Sequence, residues 1–409
     1  MRAFTLSITL LLMVSADAAH GSGFLLMNQG TGSTGKANAF AATADDGSAI
    51  YHNPAGITQI PGYTWYIGVN AIAPEGEFKP EGGGDSVTTD TGVVPAPFGY
   101  FTARLSDLIT VGLGVNPPYG LGIEWPAESP GRDIVREQQL QSWFITPVVA
   151  ADLTSVGVKG LSVALGIDLA PASVYLRRDL LLGEKIGQVE ISGDDFGVGG
   201  RVGFLYKPPM VEGLSVGLMY RLPIAYEFEG DADFDVDDPS LRTLLPPDGV
   251  GTASLDVPAV FTLGVGYRLP FGVQAEVNMN YVGWSTYDEV PITLPNGDMS
   301  ISERDWESQF VFRLGLEYGP GPWSVRAGYA YDPTPIPDET LDFTLPDVDR
   351  HVLATGFGYD LPHNLHVDIA AWLLIPNSHT TGSEPLRPRE KGTYEVRAWV
   401  ASLGLGWTL

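Results

Sequence analysis

The chain has 409 residues, a net charge of −26, 44% hydrophobic residues and no cysteine. Such an acidic chain repels nucleic acid, so the charge argues against a nucleic-acid partner. No run of about eighteen apolar residues follows the N-terminus, which excludes membrane-spanning helices. The absence of cysteine suits an oxidising compartment, where a free thiol is a hazard.

Residues 1–19 have the regions of a secretory signal peptide. Arg2 supplies a positive charge, Phe4–Val14 form a short apolar stretch, and Ala16-Asp17-Ala18 match an A-x-A cleavage site. Signal peptides carry these three parts in this order. A retained membrane anchor is the alternative, but the apolar stretch is too short to span a bilayer.

Residues 20–62, called here the N-terminal segment, are apolar and rich in small residues but lack the period of a helix or a strand. They contain Gly23-Phe24-Leu25-Leu26, the run Gly32–Ala44 and Tyr51-His52-Asn53-Pro54-Ala55-Gly56. Such a stretch cannot satisfy its own backbone hydrogen bonds and needs partners from another surface. We therefore predict that it lies within a wall formed by the rest of the chain.

One motif in this segment resembles a nucleotide-binding loop. Gly30–Lys36 matches both G-x-G-x-x-G and G-x-x-x-x-G-K. No strand precedes it, however, and Ala37 stands where a phosphate-binding loop needs Ser or Thr. We interpret these glycines as packing positions.

Residues 63–409 repeat one unit about fourteen times, an alternating run of strand length followed by a connection. Long, polar connections follow Ile72, Asn116, Leu176, Phe228, Trp284, Tyr331 and Leu374. Between them lie tight links at Arg104–Leu108, Leu153–Leu161, Tyr206–Leu214, Leu269–Phe271, Tyr318–Trp323 and Asp360–His363. An even number of antiparallel strands, with short turns at one end and long loops at the other, is typical of outer-membrane barrels. The pattern predicts an all-β fold, a single-chain, 14-stranded antiparallel transmembrane β-barrel.

Two alternating runs define predicted faces of the wall. One apolar face is expected to comprise Val257, Ala259, Phe261, Leu263, Val265, Tyr267 and Leu269. Another is expected to comprise Leu218, Tyr220, Leu222, Ile224, Tyr226 and Phe228, continuing to Phe234 and Val236 above the outer leaflet. The acidic residues that alternate with the end of this run, within residues 227–238, have two readings. They form either a divalent-cation site, because carboxylates suit Ca²⁺, or a solvated extracellular face.

The third strand runs into Asn116-Pro117-Pro118. Two consecutive prolines remove two hydrogen-bond donors and do not fit a regular central strand. The prolines therefore mark either an interruption of the wall or the ordinary end of a strand.

Several of these motifs together resemble the FadL/TodX family of outer-membrane transporters for long-chain fatty acids and hydrocarbons. The resemblance begins with the N-terminal motifs and continues in Asn116–Glu124, Leu255–Pro258 and Tyr281–Ser285. It extends to Asp332–Arg350, with Pro335-Ile336-Pro337 and Pro346-Asp347-Val348-Asp349-Arg350. It therefore covers essentially the whole mature chain.

The resemblance implies a mechanism as well as a fold. The N-terminal segment would be a hatch inside the barrel, with Asn53, Pro54 and Ala55 near its innermost part. Ligand would enter an apolar pocket from outside and leave sideways into the bilayer at the third strand, near Asn116, Pro117 and Pro118. No cofactor is implied.

The resemblance also suggests ligand contacts. Arg178 stands where family members that take fatty acids carry a pocket-lining arginine. A second basic residue expected just before strand ten is not matched, because Ser302 stands near that place and Arg304 follows two residues later. We predict Arg178 and Arg304 as ligand-binding residues and favour a fatty acid, with a hydrocarbon- or aromatic-specific channel as the alternative.

Other function classes have weaker support in the sequence. No G-x-S-x-G nucleophile motif occurs, so an outer-membrane lipase or deacylase would need a dispersed triad. An adhesin or phage receptor carried on the long loops is the alternative without transport. The alternating C-terminus Leu403–Leu409 suits the barrel-assembly machinery, although it ends in Leu instead of the usual Phe. We expect a monomer in contact with outer-membrane lipid and lipopolysaccharide, with no cofactor and no metal.

Overall fold

The computed structural model describes residues 23–182, 185–236, 238–382 and 391–409. The predicted signal peptide, residues 1–19, lies outside this part of the chain. The strands within the described ranges are β1 Tyr63–Pro80, β2 Val87–Thr88, β3 Val94–Arg104, β4 Ile109–Asn116, β5 Gly120–Glu124, β6 Glu137–Ser142, β7 Phe144–Asp152, β8 Leu161–Leu182, β9 Lys185–Tyr206, β10 Leu214–Arg221, β11 Ile224–Val236, β12 Gly249–Val257, β13 Val260–Arg268, β14 Val273–Val282, β15 Glu289–Thr293, β16 Met299–Glu303, β17 Gln309–Tyr318, β18 Trp323–Asp332, β19 Arg350–Leu361, β20 Leu365–Thr380 and β21 Gly392–Thr408.

Within the described ranges, helical structure is limited to short segments. The α-helical turns are α1 Thr31–Thr34 and α2 Ala49–His52. The 3₁₀ turns are Pro54–Gln59, Leu153–Val156, Pro239–Leu244 and Trp284–Thr286. Across the described ranges, no helix has the length and apolar character needed to cross a membrane.

The strands form one closed antiparallel barrel. Six consecutive pairs, β4/β5, β6/β7, β10/β11, β12/β13, β14/β15 and β16/β17, are each one interrupted strand of the wall, and β2 belongs to a connection. Fourteen wall strands result. The first closes against the last, from Thr64 opposite Thr408 to Pro80 opposite Gly392. The predicted fold class, a 14-stranded antiparallel barrel, is confirmed.

The short turns lie where the sequence predicted them, but several strands continue past the points where long loops were expected. Strand β1 continues past Ile72 to Pro80, β8 past Leu176 to Leu182 and β20 past Leu374 to Thr380, while β11 continues to Val236 as the alternating run predicted. The reason is backbone pairing, since the polar part of β11 forms a ladder with β9, for example Asp233 opposite Glu190. A strand above the membrane needs paired neighbours rather than an apolar face. The wall therefore rises beyond the bilayer on this side.

The N-terminal segment and one long connection fill the barrel. Nearly all of residues 23–60 are buried, in contact with strands such as β4, β8, β9, β19 and β20. The connection after β18, residues 333–349, folds inward and buries Phe343 against Trp125, Phe78 and Tyr394. The lumen is thus closed by aromatic packing at one end and by the N-terminal segment at the other.

Candidate functional site: two apolar cavities in the barrel

The upper lumen is apolar because β10/β11 contains one extra residue at Pro223. Arg221 opposes Arg201 of β9, whereas Glu229, eight residues later, opposes Asp194, only seven residues earlier in β9. Leu222 is 48% exposed on the lipid side, but Phe228 is 2% exposed inside. A bulge of one residue sends the following side chains to the opposite face. The prediction that Leu218–Phe228 share one face is therefore wrong.

The neighbouring strand has the same shift at Pro258. Val257 and Val260 are both buried inside, and two residues separate them instead of one. Above the shift, Leu255 pairs with Tyr226 and points into the lumen. The predicted single face from Val257 to Leu269 is therefore wrong at Val257, which lies on the inner side of the wall. A proline within an alternating run was the sequence signal for both shifts.

The inward-turned side chains surround a first cavity of about 490 Å³. Its apolar lining includes Val174, Leu176, Phe228 and Leu255. Its polar lining includes Arg178, Ser302, Glu303, Arg304 and Asp342. The barrel thus brings the two predicted arginines, from β8 and from the connection after β16, to one cavity.

The two arginines differ in their surroundings. Arg304 donates through Nη1 to Asp342 Oδ2 at 3.1 Å and to Thr344 Oγ1 at 2.9 Å, in the connection that closes the lumen. Arg178 is half-buried on β8, and its neighbour Arg177 pairs with Glu137 at 2.9 Å. Arg304 therefore holds the connection 333–349 in place, while Arg178 lines the same cavity from β8.

A second cavity of about 480 Å³ lies beside the first. Its wall includes residues 23–28 of the N-terminal segment together with Val94, Gly122, Trp143 and Trp372. Phe24, Leu121 and Leu140 line both cavities. Phe24 is also packed against Trp284 at 4.7 Å between ring centroids, so this ring lies on the boundary between the two spaces.

The second cavity borders an interruption of strand pairing. Strand β3 pairs with β1 along its length but with β4 only from Gly99 onward, and β5 pairs with β6. Within the described ranges, no ladder joins Val94–Phe98 to β5. The predicted residues lie at this interruption, because β4 ends at Asn116, and Pro117 and Pro118 connect it to β5.

Two further prolines, which the sequence analysis did not identify, border the same interruption. Along β3 the backbone N–H of Arg104 points to β1 and that of Leu105 points to β4, so odd-numbered donors face β4 and β5. Pro95 and Pro97 occupy two of these odd positions and have no N–H. The edge of β3 therefore offers no donor to β5 there. The Pro-x-Pro pattern was the available sequence signal.

On the other side of the interruption, the N-terminal segment forms hydrogen bonds with the chain from the end of β4 to the start of β5. Leu26 N donates to Pro118 O at 2.8 Å, and Gly120 N donates to Phe24 O at 3.1 Å. Gln29 Nε2 donates to Pro117 O at 2.9 Å. These bonds tie the start of the segment to the wall where β4 and β5 are separated.

The rest of the segment follows the inner wall through charged and backbone contacts. The Glu276 carboxylate accepts from Ala42 N at 2.7 Å and from Thr43 N at 2.8 Å. Asn53 Nδ2 donates to Ala41 O at 2.7 Å and to Phe204 O at 3.0 Å. Asn53, Pro54 and Ala55 are thus buried, and Asn53 is hydrogen-bonded to β9.

The glycine-rich motif is part of this packing. Gly30–Lys36 includes the single turn α1, whose Thr31 and Gly32 N–H groups donate to Tyr66 Oη at 3.0 and 3.2 Å. Lys36 pairs with Glu317 at 3.2 Å. The interpretation of these glycines as packing positions agrees with these contacts.

Burial shifts two titratable groups of the segment in opposite ways. It lowers the pKa of the His52 imidazole to about 3, so the ring is neutral, and Nε2 lies 3.0 Å from Ser33 Oγ. It raises the pKa of the Asp46 carboxyl to about 6, although Ser48 donates to that group. The folded segment therefore disfavours protonation of His52 and favours protonation of Asp46.

The acidic run on β11 lies on the outside. Glu227, Glu229, Asp233 and Asp235 are exposed, while Phe228 and Phe234 point inward. In the part of the chain that the structure describes, no cluster of three or more acidic, His or Cys residues could hold a metal ion. Their exposure is the arrangement expected of a solvated extracellular face.

Comparisons with known proteins agree with this architecture. The family model described as outer membrane protein transport protein (OMPP1/FadL/TodX) matches residues 12–408. A long-chain fatty acid transport protein from Escherichia coli is 24% identical over 86% of this chain and 86% of its own. Outer membrane protein P1 of Haemophilus influenzae is 23% identical over 88% of this chain and 87% of its own.

Solved structures have the same fold. A FadL homologue of Pseudomonas aeruginosa superposes with a TM-score of 0.83 at 19% identity, covering 95% of this chain and 100% of that one. The toluene transporter TodX of Pseudomonas putida superposes with a TM-score of 0.73 at 17% identity, covering 96% and 99%. The match of the family model over nearly the whole chain and the closed barrel lead to one conclusion. The chain belongs to the OMPP1/FadL/TodX family of outer-membrane transport proteins and is an integral β-barrel of the outer membrane.

Proposed function

We propose that the protein carries long-chain fatty acids, or similar hydrophobic molecules, across the outer membrane without catalysis or energy coupling. The observation that carries this proposal is the pair of adjoining apolar cavities, about 490 and 480 Å³, inside a membrane barrel. The names of relatives agree, since they include long-chain fatty acid and toluene transporters.

The physical advantage lies in the apolar lining. The polysaccharide-covered outer leaflet resists apolar solutes, and a water-filled pore gives them no favourable path. An apolar cavity contributes about 0.8 kcal/mol per buried methylene, so an alkyl chain is captured readily. Release then requires the cavity to change shape.

The proposed change is a rearrangement of the N-terminal segment acting as a hatch. The support is its position, since Phe24 separates the two cavities and the segment fills the lumen below them. Asn53→Ala removes the donor to Ala41 and Phe204, and Pro54→Gly loosens the turn. Both variants should alter uptake while the barrel still assembles, as measured by heat-dependent migration on a gel. Normal uptake in both would contradict this role.

The proposed exit is sideways, through the interruption between β3 and β5. The second cavity borders this interruption, and Trp143 beside it is exposed on the outer surface. Asn116, Pro117 and Pro118 separate β4 from β5, and Pro95 and Pro97 deprive the facing edge of donors. An apolar ligand in this cavity would reach the bilayer without crossing the periplasm.

The ligand headgroup distinguishes fatty acid from hydrocarbon. A buried carboxylate needs a hydrogen-bonding or charged partner, whereas an alkane needs none. If Arg178 is the partner of the carboxylate, Arg178→Ala should weaken fatty-acid binding severalfold and leave alkane binding nearly unchanged. Equal losses would indicate a structural role for the arginine, and no loss for either ligand would place it outside the binding site.

The transport function itself is tested with vesicles. Vesicles that contain the protein should take up long-chain fatty acids or alkanes faster than vesicles without it. A deletion strain should show the corresponding defect. The absence of a difference for every hydrophobic solute would contradict transport, and binding of cells or phage lost on loop deletion would favour a surface receptor.

A further inference from the structure

Arg221, the last residue of β10, is a buried cation that forms no ion pair with any carboxylate of the described residues. It is 2% exposed, and its Nη2 donates to Tyr119 Oη at 2.9 Å. Across the described ranges, no carboxylate oxygen forms an ion pair with it. The other buried cations differ, since Arg201 pairs with Asp168 at 2.6 Å and Arg313 with Asp332 at 3.4 Å.

Aromatic rings stabilise this charge only in part. The guanidinium carbon lies 5.5 Å from the Tyr51 ring centroid, 5.1 Å from that of Tyr119 and 5.8 Å from that of Phe144. Cation–π contacts are weaker than a full counter-ion. A guanidinium is always charged, and a buried charge without compensation is costly. The site therefore favours the arrival of an anion.

A small cavity of about 10 Å³, lined by both polar and apolar side chains, lies beside Arg221. Arg221 and Asn38 both line it, and Asn38 is 2% exposed. Among the described side chains, Arg221 Nε and both atoms of the Asn38 amide group lack hydrogen-bond partners. Two donor groups of this kind can bind the two oxygens of one carboxylate.

This small cavity adjoins the second apolar cavity. Met27 and Asn38 line both spaces. Tyr119, which accepts the hydrogen bond from Arg221, also lines the larger one. An alkyl chain in the larger cavity could thus direct its headgroup toward Arg221 once Met27, a flexible side chain, moves aside.

We propose that Arg221 and Asn38 form a carboxylate site deep in the barrel, occupied by the headgroup of a ligand whose chain lies in the second cavity. This site is separate from the Arg178 position in the first cavity, and it rests on the proposed transport of hydrophobic ligands. A fatty acid would be held there through charge-assisted hydrogen bonds before its release toward the interruption between β3 and β5.

The test compares palmitic acid with cetyl alcohol, which has the same chain length and no charge. In Arg221→Met the affinity for palmitic acid should fall roughly ten- to a hundredfold, as expected for lost hydrogen bonds to a charged group. The affinity for cetyl alcohol should stay within about twofold, and Arg221→Lys should keep part of the preference for the acid. Equal losses for both ligands, or no loss for either, would overturn the assignment.

Folding of the variants provides an independent readout. Arg221→Met leaves no carboxylate unpaired, so its thermal unfolding should be unchanged or raised. The matched control Arg313→Met leaves Asp332 without this partner and should unfold at a lower temperature. Destabilisation of Arg221→Met equal to that of the control would mean that Arg221 holds structure instead.

Acetate distinguishes a headgroup from a free small anion. Under the proposal, acetate should weaken palmitic acid binding to the wild type but not to Arg221→Met. Acetate binding at Arg221 with equal palmitic acid affinity in both proteins would assign the site to a free anion and overturn the headgroup role. If the wild type bound neither long-chain ligand, the proposed function would fail, whereas acetate binding would still report on the anion site.

Discussion

At the scale of single residues, wall glycines stand where the backbone of the N-terminal segment passes closest. A methyl group on Gly217 would overlap the carbonyl of Ala41, and one on Gly328 would overlap the backbone of Lys36 and Ala37. A methyl group on Gly203 would overlap the side chain of Asn53. These glycines, on β10, β18 and β9, form a track of small residues along which the segment packs against the wall.

This track makes Gly328→Val informative. We expect it to displace residues 31–42 from the wall, because backbone atoms cannot yield to the new side chain. The barrel itself should still form, since β18 keeps its ladders with β17 and β19. Limited proteolysis should cleave the segment faster, while heat-dependent gel migration stays normal.

The control is Gly99→Ala, because a methyl group there would meet only Ile67, at 3.7 Å. It should leave the proteolysis pattern unchanged. A Gly328→Val protein with a fully protected segment would mean that the wall adjusts to the segment, contrary to this account.

The two titratable groups of the segment predict opposite pH effects. The folded pKa of His52 lies near 3, below its ordinary 6.5, so its stabilising contribution is complete above about pH 6.5 and declines as the pH falls toward 3. At pH 5 the contribution of His52 to the free energy of unfolding is about 2 kcal/mol smaller than at neutral pH. The folded pKa of Asp46 is raised to about 6 from 3.8, so its contribution is greatest below about pH 3.8 and is lost as the pH rises through 6.

Hydrogen exchange of residues 30–58 at pH 5 and pH 7.5 tests both shifts. Because the two contributions oppose each other, the hydrogen-exchange protection of the wild-type segment should differ little between pH 5 and pH 7.5. The ratio of protection at pH 5 to protection at pH 7.5 should be higher in His52→Gln than in the wild type. In Asp46→Asn this ratio should be lower than in the wild type. Identical ratios in all three proteins would show that neither group changes its protonation when the segment opens.

At the scale of strands, period-two alternation was sufficient to locate nearly every wall strand but not to assign every face. The even-numbered apolar residues of β10 and β11 continue through Pro223, and nothing in their spacing reveals the bulge. The lipid and the apolar lumen accept the same side chains, so the pattern carries no information on which one a residue faces. Prolines within the run, at 223 and 258, were the available evidence.

The edge of β3 gives a prediction at the same scale. Pro95→Val with Pro97→Val would restore two donors toward β5, so the edge could pair across the interruption. We expect slower transfer of ligand to the bilayer, with binding to the cavities nearly unchanged. Fluorescent fatty-acid release into vesicle membranes measures the transfer.

The matched control is Pro209→Ala, which lies in the short turn between β9 and β10, away from this edge. It should leave transfer at the wild-type rate. A double variant that transfers ligand normally would mean that ligand leaves by another path.

At the scale of the whole molecule, sequence reasoning was sufficient for the compartment and the strand number, because both follow from loop lengths and alternation. It could not assign the partners of the N-terminal segment, which depend on contacts between distant residues such as Glu276 and Ala42. Arg221 was missed for the same reason, since an arginine at a strand end carries no local sign that it lacks a carboxylate. Three-dimensional packing alone reveals these features.

The absence of cysteine makes movement of the whole segment testable with one engineered crosslink. Thr31 Oγ1 lies 2.8 Å from Ser402 Oγ, so cysteines at both positions would bring two sulfur atoms close to bonding distance. If uptake requires the segment to shift, the oxidised Thr31→Cys, Ser402→Cys protein should take up ligand severalfold more slowly. Reduction should restore the wild-type rate.

The control crosslinks two wall strands to each other instead. Thr64 Oγ1 of β1 lies 3.1 Å from Thr408 Oγ1 of β21, so cysteines there form a comparable bond that leaves the segment free. Uptake by this control should not depend on the reductant, because the barrel wall is already paired along this seam. Equal uptake by the oxidised and reduced Thr31→Cys, Ser402→Cys protein would mean that ligand passes while this part of the segment stays in place, contrary to a movement of the whole segment.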